Sequence, residues 1–265
     1  MTVSEDLKRI TPQDYRAQVR DGRWPGPNRE VCPGYAQTAL VVVPRDWAFE
    51  FLLLCQRNPS LGQVLDVTEK PGEVHSPLLA PDADVRTDVS RYRVYKDGAL
   101  IGEPAQVVDY WRDDLVTFHL GCSRAANDAF AHAGVSYRVI GLFDSTLPLV
   151  PAGRFRGNMA VSCRAFPTTW DVTRAIQESS RLTAFHGAPV HIGDPGLIGI
   201  SDLSKPDYPL PYPAPPLEAN ETPMFWGCAV TPQKIAVECQ VPYMIVSYEG
   251  HLFVTDRRVQ EFQSL

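Results

Sequence analysis

The sequence predicts a mixed α/β protein. Short apolar runs typical of buried strands alternate along the chain with segments that have helical periodicity. Prolines number 24 among 265 residues, well above the usual share of roughly 5%, which indicates many enforced turns and argues against a helical bundle. No repeat of about 20–50 residues is visible, so solenoids and propellers are excluded.

Local signals place the elements of the first half. Thr11 and Pro12 are typical of the N-cap and the first residue of a helix. The apolar run at 39–43, stopped by Pro44, indicates a strand buried on both faces. The predicted elements are, in order, a helix from Pro12 ending at Gly22, a strand at 39–43, a helix at 46–57, a long loop at 58–90, a hairpin from 91–95 across Lys96-Asp97-Gly98, a strand at 115–120 and a helix at 123–132.

The strongest helical periodicity lies in the second half. Val172, Ile176 and Leu182 follow the 3.6-residue period within 169–185, and Gly187 stands where a C-terminal cap belongs. The predicted elements are a strand at 158–164, the helix at 169–185, a strand at 189–192, a proline-rich irregular arm at 204–223, a strand at 225–230, a helix from Thr231 to about 240, and a hairpin that pairs 244–248 with 252–255 across Glu249-Gly250.

Charge and composition narrow the partners. The net charge is −6 and no run of Lys or Arg provides the basic surface that nucleic acid requires. The apolar stretches fall short of the ~20 residues that span a bilayer, so no membrane partner is expected. Residues 1–10 lack the apolar region of a secretory signal, and six scattered cysteines read as free thiols. We expect a cytoplasmic protein, with a homodimer left open.

Two similar turns form the first candidate site. Gly121-Cys122-Ser123 and Gly227-Cys228 each follow an apolar strand and precede a helix, whose N-terminal N–H groups attract anions. A thiol in such a turn would have a lowered pKa and act as a nucleophile or acid, which makes Cys122 and Cys228 candidate catalytic residues. The alternative is that Gly-Cys is small and permits close packing of strand and helix.

The triplet Thr231-Pro232-Gln233 follows the second turn. It repeats Thr11-Pro12-Gln13 and therefore predicts first a helix cap. Because it follows Cys228, the side chains of Thr231 and Gln233 would also flank a bound carboxylate.

A histidine-rich stretch forms the second candidate site. His186, His191 and Asp194 lie within nine residues, where an imidazole can transfer protons near neutral pH and a carboxylate can orient it. We take His191 and Asp194 as candidate catalytic residues. The alternative is a buried structural histidine and an Asp that caps the turn at Pro195. A metal site is not expected, because the spacing matches no recognised ligand pattern.

Arg164 ends a buried strand, where its planar guanidinium suits a substrate carboxylate. The alternative is an ion pair with one of the many Asp residues. The sequence contains no nucleophile elbow, glycine-rich phosphate loop, dinucleotide fingerprint or zinc-protease motif.

A collinear set of motifs covers about 34–256, nearly the whole chain. The motifs are Gly34-Tyr35-Ala36-Gln37, 51–59, Asp84-Val85-Arg86-Thr87-Asp88, Tyr92-Arg93-Val94-Tyr95, 111–116, Gly121-Cys122-Ser123, 186–195, 225–233 and Val254-Thr255-Asp256. In these motifs the chain resembles the D-glutamate cyclase-like family, whose bacterial members mostly carry the label hydro-lyase. Within them, Arg86, Ser123 and Asp256 are further candidate substrate-binding residues.

The resemblance implies a fold and an activity. The fold would be a three-layer α/β/α sandwich core at 1–134 and 193–265, with a smaller two-layer α+β subdomain inserted at 135–192. The activity would be that of a lyase without cofactors or metals, since the animal member cyclises D-glutamate to 5-oxo-D-proline with loss of water. Such a reaction needs groups that move a proton and a cationic group for the spectator carboxylate.

The chain also departs from the family pattern. The family continues Gly-Cys-Ser with Phe-Ser-Phe-Glu, whereas Arg124-Ala125-Ala126-Asn127 follows here, so a Glu is lost and Arg124 becomes a candidate substrate-binding residue. Two functions therefore stay open. One is a hydro-lyase acting on a small amino or hydroxy carboxylic acid. The other is a catalytically silent relative that binds a small carboxylate or a protein partner.

Overall fold

The computed structural model describes residues 9–28, 31–208 and 215–262, and it combines helices with two β-sheets, which confirms the α/β class. The helices are α1 (Pro12–Arg20), α2 (Arg45–Arg57), α3 (Ala125–His132), α4 (Thr169–Ser180) and α5 (Thr231–Glu238). The strands are β1 (Tyr35–Pro44), β2 (Val64–Val67), β3 (Tyr92–Lys96), β4 (Ala99–Gly102), β5 (Leu115–Gly121), β6 (Arg138–Pro148), β7 (Asn158–Phe166), β8 (His191–Ile192), β9 (Thr222–Gly227), β10 (Tyr243–Ser247) and β11 (Phe253–Arg258).

The larger sheet has seven strands in the order β2-β5-β1-β10-β3-β4, with β11 also paired to β1. The apolar run of β1 lies at its centre, where Val41 is paired with Phe118 on one side and Val246 on the other. The smaller sheet has the order β6-β7-β9-β8. All pairs between these strands are antiparallel, whereas the sequence indicated antiparallel pairing only at the edges.

The hairpin predicted across Glu249-Gly250 is wrong. β10 and β11 do not pair with each other in the part of the chain that the structure describes; both run antiparallel to β1 along the same edge. β10 lies opposite Val41 and Val42, and β11 lies opposite residues 35–38. Between β10 and β11 the chain leaves this edge over 248–252 and then returns to it. We call this segment the excursion. At the gap, the main-chain N–H of Leu40 donates to Ser247 Oγ at 3.2 Å.

One apolar cluster joins the two sheets. It contains Val41 and Phe118 from the larger sheet, Val161 and Phe225 from the smaller sheet, and Phe51 from α2. The smaller sheet includes β9, which lies beyond the predicted boundary at residue 192. The division into an inserted subdomain and a core domain therefore stays a prediction.

Two further local predictions need correction, and a third lies partly outside the described residues. α4 ends at Ser180 rather than at 185, and a separate 3-10 turn follows at Thr183–Phe185. The predicted loop at 58–90 contains the short edge strand β2. Part of the proline-rich arm, 209–214, lies outside the described residues, as do residues 1–8 of the N-terminus.

The N-cap of α1 is confirmed, since Thr11 Oγ1 accepts from the N–H of Asp14 at 3.1 Å. All six cysteines are free thiols, as predicted. Across the described ranges, none of the helices combines the length and the apolar character that crossing a membrane requires.

Candidate active site

Both sheets contribute to one cavity of about 170 Å³. Its walls come from the ends of β5 and β9, the middle of β7, the first turns of α3 and α5, and the excursion at 248–252. The lining residues are Pro27, Ala39, Cys122, Ser123, Arg124, Asn127, Val139, Leu142, Ser162, Cys163, Arg164, Cys228, Ala229, Val230, Gln233, Ser247, Tyr248, Glu249, Gly250 and Leu252. The volume suits a small organic molecule rather than a polymer.

Arg164 presents a buried guanidinium to this cavity. It is 4% exposed and extends from β7. Nη2 donates to the carbonyl of Ser123 and to Asn127 Oδ1, both at 3.2 Å, and the guanidinium lies 5.1 Å from the ring centroid of Trp226. These contacts fix the planar group at the cavity wall, where a fork of N–H donors can bind a carboxylate.

The departures from the family pattern fall beside Arg164. Asn127, which replaces the expected Glu, accepts a hydrogen bond from Arg164. Arg124 also lines the cavity, and its Nη1 donates to the carbonyl of Asn28 at 3.1 Å. Ser123 is buried at the same turn. These three residues and Arg164 are thus brought together.

Glu249 is a lining residue that the sequence analysis missed. Its side chain is 2% exposed, and Oε1 accepts from Arg93 Nη1 at 2.5 Å. Oε2 is buried and has no hydrogen-bond partner among the residues that the structure describes. In the sequence, Glu249-Gly250 is typical of a hairpin turn, and the signal for a site residue is an acidic side chain that follows a strongly apolar strand.

The excursion that carries Glu249 is held in place by residues distant in sequence. The side-chain amide of Asn28 accepts from the N–H of Leu252 at 3.0 Å and donates to its carbonyl at 2.7 Å. Ser90 Oγ lies 2.8 Å from His251 Nδ1. Gly250 has φ of 79°, a left-handed conformation that glycine adopts without strain. The position of the Glu249 carboxyl group is therefore well defined.

The two thiols line the cavity, but the expectation of a lowered pKa is wrong. Burial raises the pKa of Cys122 above its ordinary value and raises the pKa of Cys228 to about 12. Desolvation of the thiolate outweighs the opposing influence of nearby N–H groups and arginines. Both side chains are therefore neutral thiols near pH 7, able to donate a weak hydrogen bond.

The glycines of the two turns have a packing role. A side-chain methyl group at Gly121 would overlap the carbonyl oxygen of Ala184, and one at Gly227 would overlap the carbonyl oxygen of Ser60. The Gly-Cys turns therefore permit close packing, as the alternative interpretation predicts. They also lie at the cavity.

Thr231 and Gln233 have different positions. The predicted N-cap at Thr231 is wrong: α5 starts at this residue, and the hydroxyl is buried, donating to the Cys228 carbonyl at 2.7 Å and accepting from the Ala160 N–H at 3.1 Å. Thr231 therefore stabilises the turn and is not among the lining residues. Gln233 does line the cavity, and its Oε1 accepts from Arg93 Nη1 at 2.7 Å.

The histidine-rich stretch does not reach the cavity lining. His191 Nε2 lies 2.7 Å from the main-chain oxygen of Asp194, and the exposed Asp194 carboxylate accepts from the Gly196 N–H at 2.9 Å, as a turn cap does. His186 is buried with its Nδ1 bonded to the Ser60 carbonyl at 2.6 Å, and burial lowers its pKa to about 4. The geometry matches the structural alternative for this stretch.

Arg86 and Asp256 also lie away from the lining. Arg86 pairs with Asp84 at 2.7 Å, and Asp256 pairs with the buried Arg16 at 2.9 Å. Arg86 and Asp256 are therefore both engaged in structural ion pairs. In the ranges 9–28, 31–208 and 215–262, no group of three His, Cys, Asp or Glu side chains is arranged to hold a metal ion.

These features define a mixed α/β protein with a small cavity whose walls carry guanidinium, carboxyl and thiol groups. Residues 116–256 match the D-glutamate cyclase family. "Putative hydro-lyase YcsI" of Bacillus subtilis is 44% identical over 255 residues, covering 94% of this chain and 97% of that one. "Putative hydro-lyase" of Stutzerimonas stutzeri is 41% identical over 267 residues, with 98% of each chain covered. The chain belongs to the D-glutamate cyclase family.

Among solved structures, a nitrogen repressor-like protein, MJ0159, from Methanococcus jannaschii aligns over 92% of this chain and 97% of that one. The TM-score is 0.38 and the identity 7%, a similarity too low to carry an argument.

Proposed function

We propose that the protein is a lyase that removes water from a small amino or hydroxy carboxylic acid bound in the cavity, with D-glutamate as the first acid to test. The observation that carries the proposal is the buried guanidinium of Arg164 at the wall of a cavity of about 170 Å³. Membership of the D-glutamate cyclase family and the hydro-lyase names of the relatives support the type of reaction.

The walls contain the groups that such a reaction needs. Arg164 would bind the carboxylate that does not react, and the neutral thiols of Cys122 and Cys228 would donate hydrogen bonds to substrate oxygens. Dehydration moves protons and breaks a C–O bond without a change in oxidation state. Acid–base side chains and an anion site are therefore sufficient, and we propose that no cofactor takes part.

The test is incubation of the purified protein with D-glutamate, L-glutamate and a panel of small hydroxy acids. Mass spectrometry would follow the loss of one water. We expect turnover of at least one of these acids by the wild type and a loss of more than about tenfold in kcat/KM for Arg164→Lys, since an ammonium group cannot bind a carboxylate through two parallel N–H bonds.

The conservative variant Arg181→Lys is the matched control, because this exposed arginine does not line the cavity. Turnover that is equally unaffected by Arg164→Lys and Arg181→Lys would contradict the proposed site. Binding of an acid without turnover would instead support the catalytically silent alternative.

A further inference from the structure

The two oxygens of the Glu249 carboxyl group differ: Arg93 binds one of them, and the other is buried without a hydrogen-bond partner among the described residues. Oε1 accepts from Arg93, whereas the buried Oε2 bonds to none of the described residues and belongs to a side chain that lines the cavity. A buried polar atom without a hydrogen bond is energetically unfavourable, because it has lost its contact with water. Because Glu249 lines a ligand-sized cavity, a bound group that donates to Oε2 would supply the missing hydrogen bond.

Arg93 holds this carboxyl group in one orientation. Nη1 of Arg93 donates to both Glu249 Oε1 and Gln233 Oε1, Nε donates to Glu103 at 2.8 Å, and the guanidinium lies 4.3 Å from the ring centroid of Tyr248. These four contacts leave the guanidinium little freedom. Its fixed position in turn directs Glu249 Oε2 away from Arg93.

The surroundings favour a carboxyl group that changes its protonation state. Burial raises the pKa of Glu249 above its ordinary value; Arg93 and the main-chain N–H of Glu249 oppose this increase, and the charge of Glu103 adds to it. Tyr95 and Cys228, two further titratable groups that interact with Glu249, are neutral near pH 7, and burial raises the pKa of each further above this pH. Arg93 shares its charge between two carboxylates, so it stabilises the ionised form of Glu249 only in part.

We propose that Glu249 is the catalytic acid–base residue of the cavity, with Arg93 as its positioning residue; this inference rests on the proposed lyase function. Glu249 Oε2 accepts a proton from the substrate atom that loses it and returns that proton to the departing oxygen. In cyclisation of D-glutamate, the ammonium nitrogen loses two protons and bonds to the side-chain carboxyl carbon. One oxygen of that carboxyl group gains both protons and leaves as water, so Glu249 ends in its starting state.

The first experiment compares Glu249→Gln with the matched control Glu221→Gln. Glu221 is also a buried Glu paired with an arginine, Arg138, but it does not line the cavity. We expect Glu249→Gln to lower kcat by about 100-fold or more with little change in KM, and to remove the limb of the pH–rate profile that reports the carboxyl group. Glu221→Gln should stay within about twofold of the wild type. A Glu249→Gln variant that keeps more than a tenth of the wild-type kcat would overturn the proposal.

A second measurement does not depend on turnover and separates this inference from the proposed function. Infrared difference spectra between pH values follow the carbonyl band of a protonated carboxyl group in the wild type and in Glu249→Gln. A band that titrates above the ordinary range of Glu and is missing from Glu249→Gln supports the assignment, even if no tested acid is dehydrated. A Glu249 that titrates in the ordinary range would refute the acid–base role. Arg93→Lys should shift this titration, which a merely structural role of Arg93 would not do.

Discussion

A buried histidine makes the free energy of unfolding of this protein depend on pH. Burial lowers the pKa of His186 from 6.5 to about 4. Between these values the unfolded chain binds a proton that the folded chain excludes, so the free energy of unfolding falls as the pH falls from about 6.5 towards 4. The slope contributed by one such group approaches about 1.4 kcal/mol per pH unit.

The variant His186→Asn tests this coupling. Asn tolerates the left-handed φ of 95° at this position and does not titrate. In urea unfolding between about pH 6 and 4.5, we expect the free energy of unfolding to depend less steeply on pH, by about 1 kcal/mol per unit. His132→Asn, on the exposed face of α3, should leave the slope unchanged. An unaltered slope in His186→Asn would show that this histidine is not the buried neutral group described here.

Residue identity alone predicted part of the candidate site. Arg164, Cys122, Cys228 and Gln233 line the cavity, and each followed from a strand end or a strand-to-helix turn. Glu249 did not follow, because Glu-Gly is typical of a turn whether the chain forms a hairpin or leaves the sheet edge.

At the scale of elements, close packing of the strand-to-helix turns is the main constraint. Gly121→Ala would place a methyl group on the carbonyl oxygen of Ala184, and backbone cannot move aside as a flexible side chain can. We expect a loss of roughly 1–3 kcal/mol or more in the free energy of unfolding, measured with urea. Gly26→Ala is the control, since a methyl group there meets no atom within 4 Å. Equal effects of the two variants would contradict this packing argument.

The excursion at 248–252 depends on Asn28, more than 200 residues earlier in the sequence. Asn28→Ala removes both side-chain bonds to the main chain of Leu252. We expect a loss of about 1–3 kcal/mol in unfolding free energy, together with reduced turnover, because the Glu249 carboxyl group would lose its fixed position. Asn220→Ala, at an exposed turn, serves as the control. A variant at Asn28 with unchanged stability would show that the excursion is held by its other contacts.

For the whole molecule, the shared apolar cluster predicts that the two sheets unfold together. Phe51 packs edge-on against Phe118 of the larger sheet and Phe155, which precedes β7, at centroid distances of 5.0 and 5.6 Å. Phe51→Ala should lower the free energy of unfolding by about 3–5 kcal/mol. Near-ultraviolet and far-ultraviolet circular dichroism should report the same midpoint. Two separate transitions would favour the predicted division into an inserted subdomain and a core domain.

Local pattern determined the α/β class, the central strand, most helices and the turns that carry the thiols, because periodicity, caps and turn residues act within a few positions of the chain. The same patterns failed where pairing partners are distant: β10 and β11 read as a hairpin, yet both pair with β1. The resemblance to the D-glutamate cyclase-like family came from motifs spread over the sequence, and it is confirmed.

Only the tertiary structure decided which chemical groups meet. It brings Arg93, Gln233 and Glu249 into contact across about 150 residues, and it leaves His191 and Asp194 outside the cavity lining. The physical reason is that the pKa and the hydrogen bonds of a carboxyl group depend on its burial and on neighbouring side chains from other elements. The acidic sequence as a whole, with a net charge of −6, therefore does not reveal a cavity whose lining includes Arg124, Arg164 and Glu249.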